Sequence, residues 1–402
     1  MSDSNNLNLA PVAGVRLATT CAGIKSVDRK DLVIIELADG TTTAGVFTQN
    51  AFCAAPVIVA KDHMSKATPK YLVINTGNAN AGTGEQGKND AVATCMKVAA
   101  QTGCDTEEVL PFSTGVIGEN LPVKALEAGV SSACKLFDDN GWNDAAEGIM
   151  TTDTVAKGFS KSLEINGKNI TVTGIAKGSG MIRPDMATML AYIATDAGLS
   201  QQDLQACLKN AVDHSFNRIT VDGDTSTNDA CMLMATGQSG VEVRSGSSEY
   251  ELLAKAVQDI CVELAKAMVK DGEGATKLIN IVVEQGGNQQ ECLDVAYTVA
   301  HSPLVKTAFF ASDPNWGRIL AAVGRAGISN LDLKAIEIYL DDVCIVEHGG
   351  RSPSYTEERG QAVMDKSEIT ITIKLARGEV SETVWTCDFS YDYVKINAEY
   401  RT

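Results

Sequence analysis

The feature that most limits the fold of this chain is that strand-like and helix-like stretches come in blocks rather than in regular alternation. Short runs rich in β-branched residues, separated by turn residues, dominate the first third and predict strands. They cover residues 32–37, 44–47, 56–60 and 71–75. This part of the chain is therefore expected to form sheet.

Apolar residues later recur three and four positions apart, a spacing typical of helices. The predicted helices cover residues 88–102, 122–137 and 249–269. Alternating residues in 336–340 and 369–375 predict strands that are covered on one face. Segment 346–360 is expected to be a loop or a connection between lobes. Blocks of this kind favour an α+β fold with helices covering sheets over a regular βαβ arrangement.

Length and charge exclude several classes of protein. A chain of 402 residues is expected to form two or three lobes. No stretch approaches the roughly 18 consecutive apolar residues of a membrane helix, and a net charge of −17 would repel nucleic acid. The polar, acidic first residues lack the features of a secretory signal, so we expect a cytoplasmic protein with neither a membrane nor a nucleic acid as partner.

The cysteines and histidines show no metal-binding or catalytic spacing. The eleven cysteines are scattered without a Cys-x-x-Cys pair, which predicts free thiols and no metal. The four histidines lie in no H-E-x-x-H or G-x-S-x-G setting. A histidine-driven hydrolase would need assembly over long distances in sequence.

Two further motifs lack the context that they need. Residues 82–87 match G-x-G-x-x-G, but no second strand ending in an acidic residue follows about 20 positions later. Residues 222–226 begin like a calcium loop, but Thr227 and Leu233 stand where glycine and glutamate are required. Neither a dinucleotide nor calcium is expected to bind.

Segment 177–193 is the most unusual part of the chain. Glycines and a proline precede Ala187 and Thr188, and an apolar run that predicts a buried strand follows. Such a turn could let the Thr188 hydroxyl attack the carbonyl of Ala187, freeing threonine as a new N-terminus. An α-amine titrates at about 7.7 to 8.0, so the same residue could supply nucleophile and base. By spacing alone, the segment also fits a linker before an ordinary core strand.

Residues 111–118, Pro-Phe-Ser-Thr-Gly-Val-Ile-Gly, could supply donors for an oxyanion. Gly115 allows close approach of the backbone, and Thr114 adds a hydroxyl. One such donor is worth about 2.7 to 4 kcal/mol in acyl chemistry. Taken alone, the segment also fits a simple turn.

Seven segments together resemble the ornithine acetyltransferase family of arginine biosynthesis. They occur in order and span nearly the whole chain: residues 75–82, 113–118, 150–154, 177–182, 186–190, 313–318 and 397–402. The resemblance implies an αββα sandwich similar to that of the N-terminal-nucleophile hydrolases. It also implies self-cleavage into an α chain, residues 1–187, and a β chain, residues 188–402, which assemble as α2β2.

The activity implied by the resemblance is transfer of acetyl from N2-acetylornithine to glutamate through an acetyl-threonine intermediate. Some members also use acetyl-CoA as donor, and no cofactor is expected. Thr188 resembles the nucleophile, and Thr114 and Gly115 resemble the oxyanion pair. The remaining matches resemble substrate contacts, which Thr188 also makes: Thr151, Lys177, Glu273, Asn397 and Thr402.

Asp185 departs from the family pattern, which usually has asparagine there. A carboxylate three residues before the nucleophile is expected to slow self-cleavage or to raise the pKa of the α-amine. Two other classes stay open on sequence grounds. One is a self-cleaving aminopeptidase or amidase that gives the acyl group to water, and the other is an uncleaved binding protein in which Thr188 is a core residue.

Overall fold

A computed structural model describes residues 7–183 and 189–399 of the chain. The predicted residues Asp185, Ala187, Thr188 and Thr402 lie outside this range. The chain forms two compact units. The first comprises Met1–Asn217 and Asp224–Met268, and the second comprises Arg218–Gly223 and Val269–Thr402. Two units agree with the two or three lobes expected from chain length.

The strands, in chain order, are β1 (Val15–Thr20), β2 (Leu32–Leu37), β3 (Thr42–Phe47), β4 (Tyr71–Asn78), β5 (Val109–Val116), β6 (Lys157–Ile165), β7 (Lys168–Lys177), β8 (Leu190–Thr195), β9 (Ile219–Thr220), β10 (Ala230–Ala235), β11 (Leu278–Gly286), β12 (Glu337–Leu340), β13 (Val343–Glu347), β14 (Gly350–Arg351), β15 (Glu368–Lys374) and β16 (Val380–Cys387).

The helices are α1 (Ala55–Lys66), α2 (Gly84–Thr102), α3 (Val123–Ala133), α4 (Trp142–Gly148), α5 (Gln201–Asp213), α6 (Ser248–Lys270), α7 (Gln289–Ala300), α8 (Pro303–Phe310), α9 (Trp316–Gly324), α10 (Glu357–Met364) and α11 (Tyr391–Ala398).

The first unit is built on two sheets that share one core. A four-stranded sheet has the order β1-β2-β4-β5, and a five-stranded sheet has the order β3-β10-β8-β7-β6. Alternate residues of both sheets, such as Ile74 and Phe112 from one and Tyr192 and Met232 from the other, belong to one buried cluster. The rings of Phe112 and Tyr192 meet edge to face with centroids 5.4 Å apart. Side chains from every second residue of these strands thus fill the space between the sheets.

Helices cover the outer faces of both sheets. On the four-stranded sheet, Val73 packs in one cluster with Cys95 of α2 and Val130 of α3. On the five-stranded sheet, Gly174 leaves room for Ile260 of α6, while Gln201 of α5 donates to the Thr43 carbonyl at 3.0 Å. The order of layers is helix, sheet, sheet, helix, which confirms the expected αββα sandwich.

The second unit contains a seven-stranded sheet of order β14-β13-β12-β15-β11-β16-β9. Its inner face forms a separate apolar cluster with α7 and α9. In β15, Ile369, Ile371 and Ile373 are buried while their neighbours are not. This pattern confirms the strands predicted over 336–340 and 369–375.

One prediction of local structure was wrong, and another was right only in part. Residues 56–60 belong to helix α1, where Pro56 occupies the first turn and Val57, Val59 and Ala60 are buried. A short apolar run fits a buried helix as well as a strand, so periodicity alone could not decide. Segment 346–360 is a loop only in part: it contains the β13–β14 hairpin, an irregular stretch over 352–356 and the start of α10, whose N-terminus is capped by the Thr356 hydroxyl.

None of the helices that the structure describes is long and apolar enough to cross a membrane.

Candidate active site

The predicted oxyanion residues, Thr114 and Gly115, lie near the end of β5, which pairs in parallel with β4. The register of this pair shifts at Gly77 and Asn78. Gly115 has a φ of +136°, and a Cβ atom there would lie 2.3 Å from the carbonyl carbon of Gly77 and 2.5 Å from the nitrogen of Asn78. Because a side chain cannot approach backbone so closely, only glycine fits this position.

Lys177 contacts Thr114 although the two residues are 63 positions apart. The Lys177 Nζ atom lies 2.9 Å from the Thr114 Oγ1 atom, and both residues are buried. An ammonium group can only donate, so the threonine oxygen accepts this hydrogen bond. The Thr114 hydroxyl hydrogen is consequently directed away from the lysine and can be donated to another group.

Asp153 is a buried carboxylate that binds the backbone directly after this lysine. Its Oδ1 atom accepts hydrogen bonds from Lys157 Nζ at 2.6 Å and from the N–H of Gly178 at 2.8 Å. Its Oδ2 atom accepts from the N–H of Thr151 at 2.9 Å. Burial raises the pKa of this carboxyl, but the charges of Lys157 and Lys177 and these hydrogen bonds outweigh burial and lower it to about 2. The group is therefore ionised at neutral pH.

Asp153 was not among the residues predicted from the sequence. The residue lies in one of the seven family-like segments, 150–154, and a lysine follows it four positions later. This spacing gave a weak signal because the pair lies on a loop and at the start of β6, not on a helix. The predicted substrate contact Thr151 is half-buried beside it, with Oγ1 at 3.5 Å from the Asp153 Oδ2 atom.

Met189, the residue after the predicted nucleophile, is fixed at the entrance to β8. Its N–H donates to the Oδ1 atom of Asp229 at 2.7 Å, and its carbonyl accepts from the N–H of Ala230 at 3.1 Å. From Leu190 onward every residue of β8 is buried. The apolar run that predicted a core strand is thus confirmed as one.

The second unit holds two other predicted contacts, which meet although they are 124 positions apart. The Nδ2 atom of Asn397, on α11, donates to the Oε2 atom of Glu273 at 2.9 Å and to the Tyr393 carbonyl at 3.0 Å. Gly274 has a φ of +70°, and a Cβ atom there would lie 2.4 Å from the Tyr393 nitrogen. Glycine at this position therefore lets the turn after Glu273 pack against α11. Glu273 is buried.

Asp388 secures the chain that follows this turn. Its carboxylate accepts from the N–H groups of Thr276 and Lys277, each at 2.8 Å, and from the Thr276 hydroxyl at 2.6 Å. The Ser390 hydroxyl donates to the carbonyl of Gly274 at 2.6 Å. The Glu273 turn and the start of α11 are thereby held by a set of side-chain to backbone hydrogen bonds.

The predicted site residues that the structure describes therefore fall into two groups. Thr114, Gly115, Thr151 and Lys177 gather in the first unit, and Glu273 and Asn397 gather in the second. Within residues 7–183 and 189–399, no three His, Cys, Asp or Glu side chains are arranged to hold a metal ion.

Comparison with known proteins shows similarity along nearly the whole chain. The model of the ArgJ family matches residues 16–402. Arginine biosynthesis bifunctional protein ArgJ from Pseudomonas fluorescens strain Pf0-1 is 57% identical over 396 residues, covering 98% of each chain. The protein of the same name from Pseudomonas syringae pv. tomato is 58% identical, again over 98% of each chain.

A solved structure is also similar. The crystal structure of Arginine biosynthesis bifunctional protein argJ from Bacillus halodurans matches at 37% identity with a TM-score of 0.50. The match covers 97% of that solved chain but only 52% of the present one. A chain in the solved structure thus corresponds to about half of this polypeptide.

Proposed function

This chain belongs to the ArgJ family, and from that premise we propose that it is an acetyltransferase of arginine biosynthesis. It transfers acetyl from N2-acetylornithine to glutamate, releasing ornithine and N-acetylglutamate. The relatives are named bifunctional proteins, and the proposed second activity is acetylation of glutamate by acetyl-CoA. Both reactions move the same acyl group to the same amine.

The contact between Lys177 and Thr114 is the observation that carries this proposal. A buried ammonium 2.9 Å from the threonine oxygen leaves the hydroxyl hydrogen of Thr114 available for a developing oxyanion. Gly115, a position at which no side chain would fit, is the predicted partner of Thr114 in this role. Such a pair suits acyl transfer, where negative charge develops on the carbonyl oxygen in the transition state.

The proposed nucleophile is Thr188, freed by cleavage after Ala187. The fixed backbone of Met189 supports this assignment because it delivers the chain to the first position of a buried strand. A solved relative whose chain matches only 52% of this one also supports processing into chains of residues 1–187 and 188–402. The freed α-amine would take the hydroxyl proton as Thr188 attacks the acetamide, and would return it to the leaving ornithine.

The substrates are amino acids that carry both charges, and the predicted contacts offer both. Lys177 is a cation suited to a carboxylate, whereas Glu273, held by Asn397, is an anion suited to an amine. Thr151 and Thr402 complete the proposed set of contacts. We further propose that the enzyme works in the cytoplasm, needs no cofactor and assembles as α2β2.

Intact mass spectrometry of the purified protein, before and after incubation with N2-acetylornithine, tests this function. The expected result is two fragments, with one acetyl group gained by the fragment that begins at Thr188 and lost to glutamate when glutamate is added. The Thr188→Ala variant should remain one chain and gain nothing. Full turnover by an uncut chain would overturn the proposed mechanism, and release of free acetate in place of N-acetylglutamate would indicate a hydrolase.

A further inference from the structure

A pair of adjacent residues, Asn228 and Asp229, contacts both strands on which the proposed chemistry depends. They immediately precede β10 and follow residues 222–226, which begin like a calcium loop. Both residues are buried, at 7% and 1% exposure. Burying an amide and a carboxylate is costly unless their hydrogen bonds are made, so their contacts indicate what they are for.

Asn228 holds the strand that carries the oxyanion residues. Its Nδ2 atom donates to the carbonyl of Ser113 at 2.9 Å and to the carbonyl of Ala79 at 2.7 Å. Its Oδ1 atom accepts from the Thr227 hydroxyl at 2.6 Å. Since the Ser113 carbonyl and the Thr114 N–H belong to one planar peptide group, this contact sets the plane from which Thr114 projects.

Asp229 holds the strand that follows the proposed nucleophile. Its Oδ1 atom accepts the N–H of Met189 at 2.7 Å, and its backbone carbonyl accepts the N–H of Thr48 at 3.0 Å. The next residue, Ala230, donates to the Met189 carbonyl at 3.1 Å. Both polar backbone groups of Met189 are thus bound by two consecutive residues.

We propose that Asn228 and Asp229 are positioning residues that fix the oxyanion strand and the nucleophile strand relative to each other. The inference rests on the proposed function. Displacement of reacting groups by about 1 Å can cost roughly 100-fold in rate. A single rigid dipeptide bound to both strands limits such displacement more tightly than two independent loops, because the two anchor points are adjacent in sequence.

The pair also spans the proposed cut. Asn228 and Asp229 belong to the fragment 188–402, whereas Ala79 and Ser113 belong to the fragment 1–187. The hydrogen bonds of Asn228 therefore keep the oxyanion residues aligned with the nucleophile after the covalent link through residues 187 and 188 is lost.

Kinetics of the full-length protein with N2-acetylornithine and glutamate test the role of Asn228. The Asn228→Ala variant should lower kcat by about 10- to 100-fold per cleaved site while each KM stays within about twofold, since alignment is lost but the substrate contacts remain. The cleaved fraction is read from a denaturing gel, and Tm is measured in parallel. Asn50→Ala is the matched control, because Asn50 Nδ2 donates to the Thr225 carbonyl of the same loop at 3.0 Å.

Variants of Asp229 provide a second test, which remains informative if the Asn228→Ala protein folds poorly. Asp229→Asn keeps an oxygen acceptor for the Met189 N–H and should retain most of kcat, whereas Asp229→Ala should lose it as Asn228→Ala does. If asparagine does not rescue the alanine variant, or if both alanine variants lose activity only in proportion to folded protein, the positioning role is wrong. Failure of the wild-type enzyme to transfer acetyl would instead overturn the proposed function.

Discussion

Two regions of this protein each bury a lysine, one in contact with a carboxylate and the other in contact with neutral groups. In the first unit, Lys157 meets the carboxylate of Asp153 at 2.6 Å, with side-chain exposures of 1% and 0%. In the second unit, Lys306 is equally buried but donates to the Thr386 hydroxyl at 2.9 Å and to the Cys387 carbonyl. Its Nζ atom lies 4.5 Å from the centre of the Phe389 ring.

The difference appears in the pKa of the groups concerned. The lysines beside Asp153 hold the pKa of that carboxyl at about 2, against the effect of burial. Burial lowers the pKa of Lys306 below its ordinary value of 10.5, and the nearby Cys387, Asp388 and Asp222 oppose this only in part. The buried Asp153 carboxylate thus keeps its charge beside two lysines, whereas burial lowers the pKa of Lys306, whose direct contacts are neutral groups. The Asp153 carboxylate lies next to Lys177, and the proposed reaction needs Lys177 as a cation.

Replacing Asp153 with asparagine is the most direct test of this comparison. The change leaves Lys157 without the carboxylate that it contacts, and loss of one partner of a buried ion pair typically costs about 3 to 5 kcal/mol. Urea denaturation at pH 7 should show this loss. Because the folded pKa of Asp153 lies below its unfolded value, the difference from wild type should shrink as the pH falls from about 4 toward 2. A constant difference over that range would contradict the assignment.

Replacing Lys177 with methionine removes the cation that the Asp153 pair supports. The Thr114 hydroxyl then loses its donor at 2.9 Å and is free to rotate. Loss of one oriented oxyanion donor lowers kcat by about 100- to 1,000-fold, so we expect an effect of that order in the acetyl-transfer assay. A kcat within threefold of wild type, in protein that has cleaved normally, would show that the contact is only structural.

Replacing Lys306 with methionine should have a smaller effect on stability. The acceptors Thr386 and Cys387 lose a donor, which costs about 1 to 3 kcal/mol, but the penalty for burying a charge disappears. Since the folded pKa is lowered, wild-type stability should rise relative to the variant as the pH increases toward 10.5. Denaturation curves at pH 7, 9 and 10 measure this trend, and a trend of opposite sign would exclude it.

The more exposed ion pair Lys161–Asp259 is expected to contribute least to the free energy of unfolding. Its atoms are 2.7 Å apart, but the side chains are 45% and 33% exposed. Asp259→Asn, which also removes the contact of Asp259 with the exposed Lys255, should change the free energy of unfolding by less than about 1 kcal/mol, and added salt should reduce the change further. A loss as large as that of Asp153→Asn would mean that burial is not what separates the two pairs.

Sequence patterns predicted the long regular elements well. The apolar stripe over 249–269 became α6, and the alternation over 369–375 became β15. Both are long enough for the period to be unambiguous. Segment 56–60 was too short for that, and its proline suited the first turn of a helix as well as a bend.

The site could be predicted only in part because its contacts join distant residues. The resemblance proposed Thr114 and Lys177 as separate contributors, but no spacing indicated that their side chains touch. Asp153, Asn228 and Asp229 were missed for the same reason, since each makes hydrogen bonds to backbone groups elsewhere in the chain. The role of Thr188 stays a prediction.

In the five-stranded sheet, β3, β6 and β7 come before the proposed cut at Thr188, whereas β8 and β10 come after it. Two ladders cross this boundary, β7 with β8 and β3 with β10, each over six residue pairs. Cleavage would therefore produce two subunits that share a continuous sheet and part only on unfolding. One gene would then encode a hetero-oligomer of fixed one-to-one stoichiometry, and an affinity tag at either end of the precursor would recover both subunits.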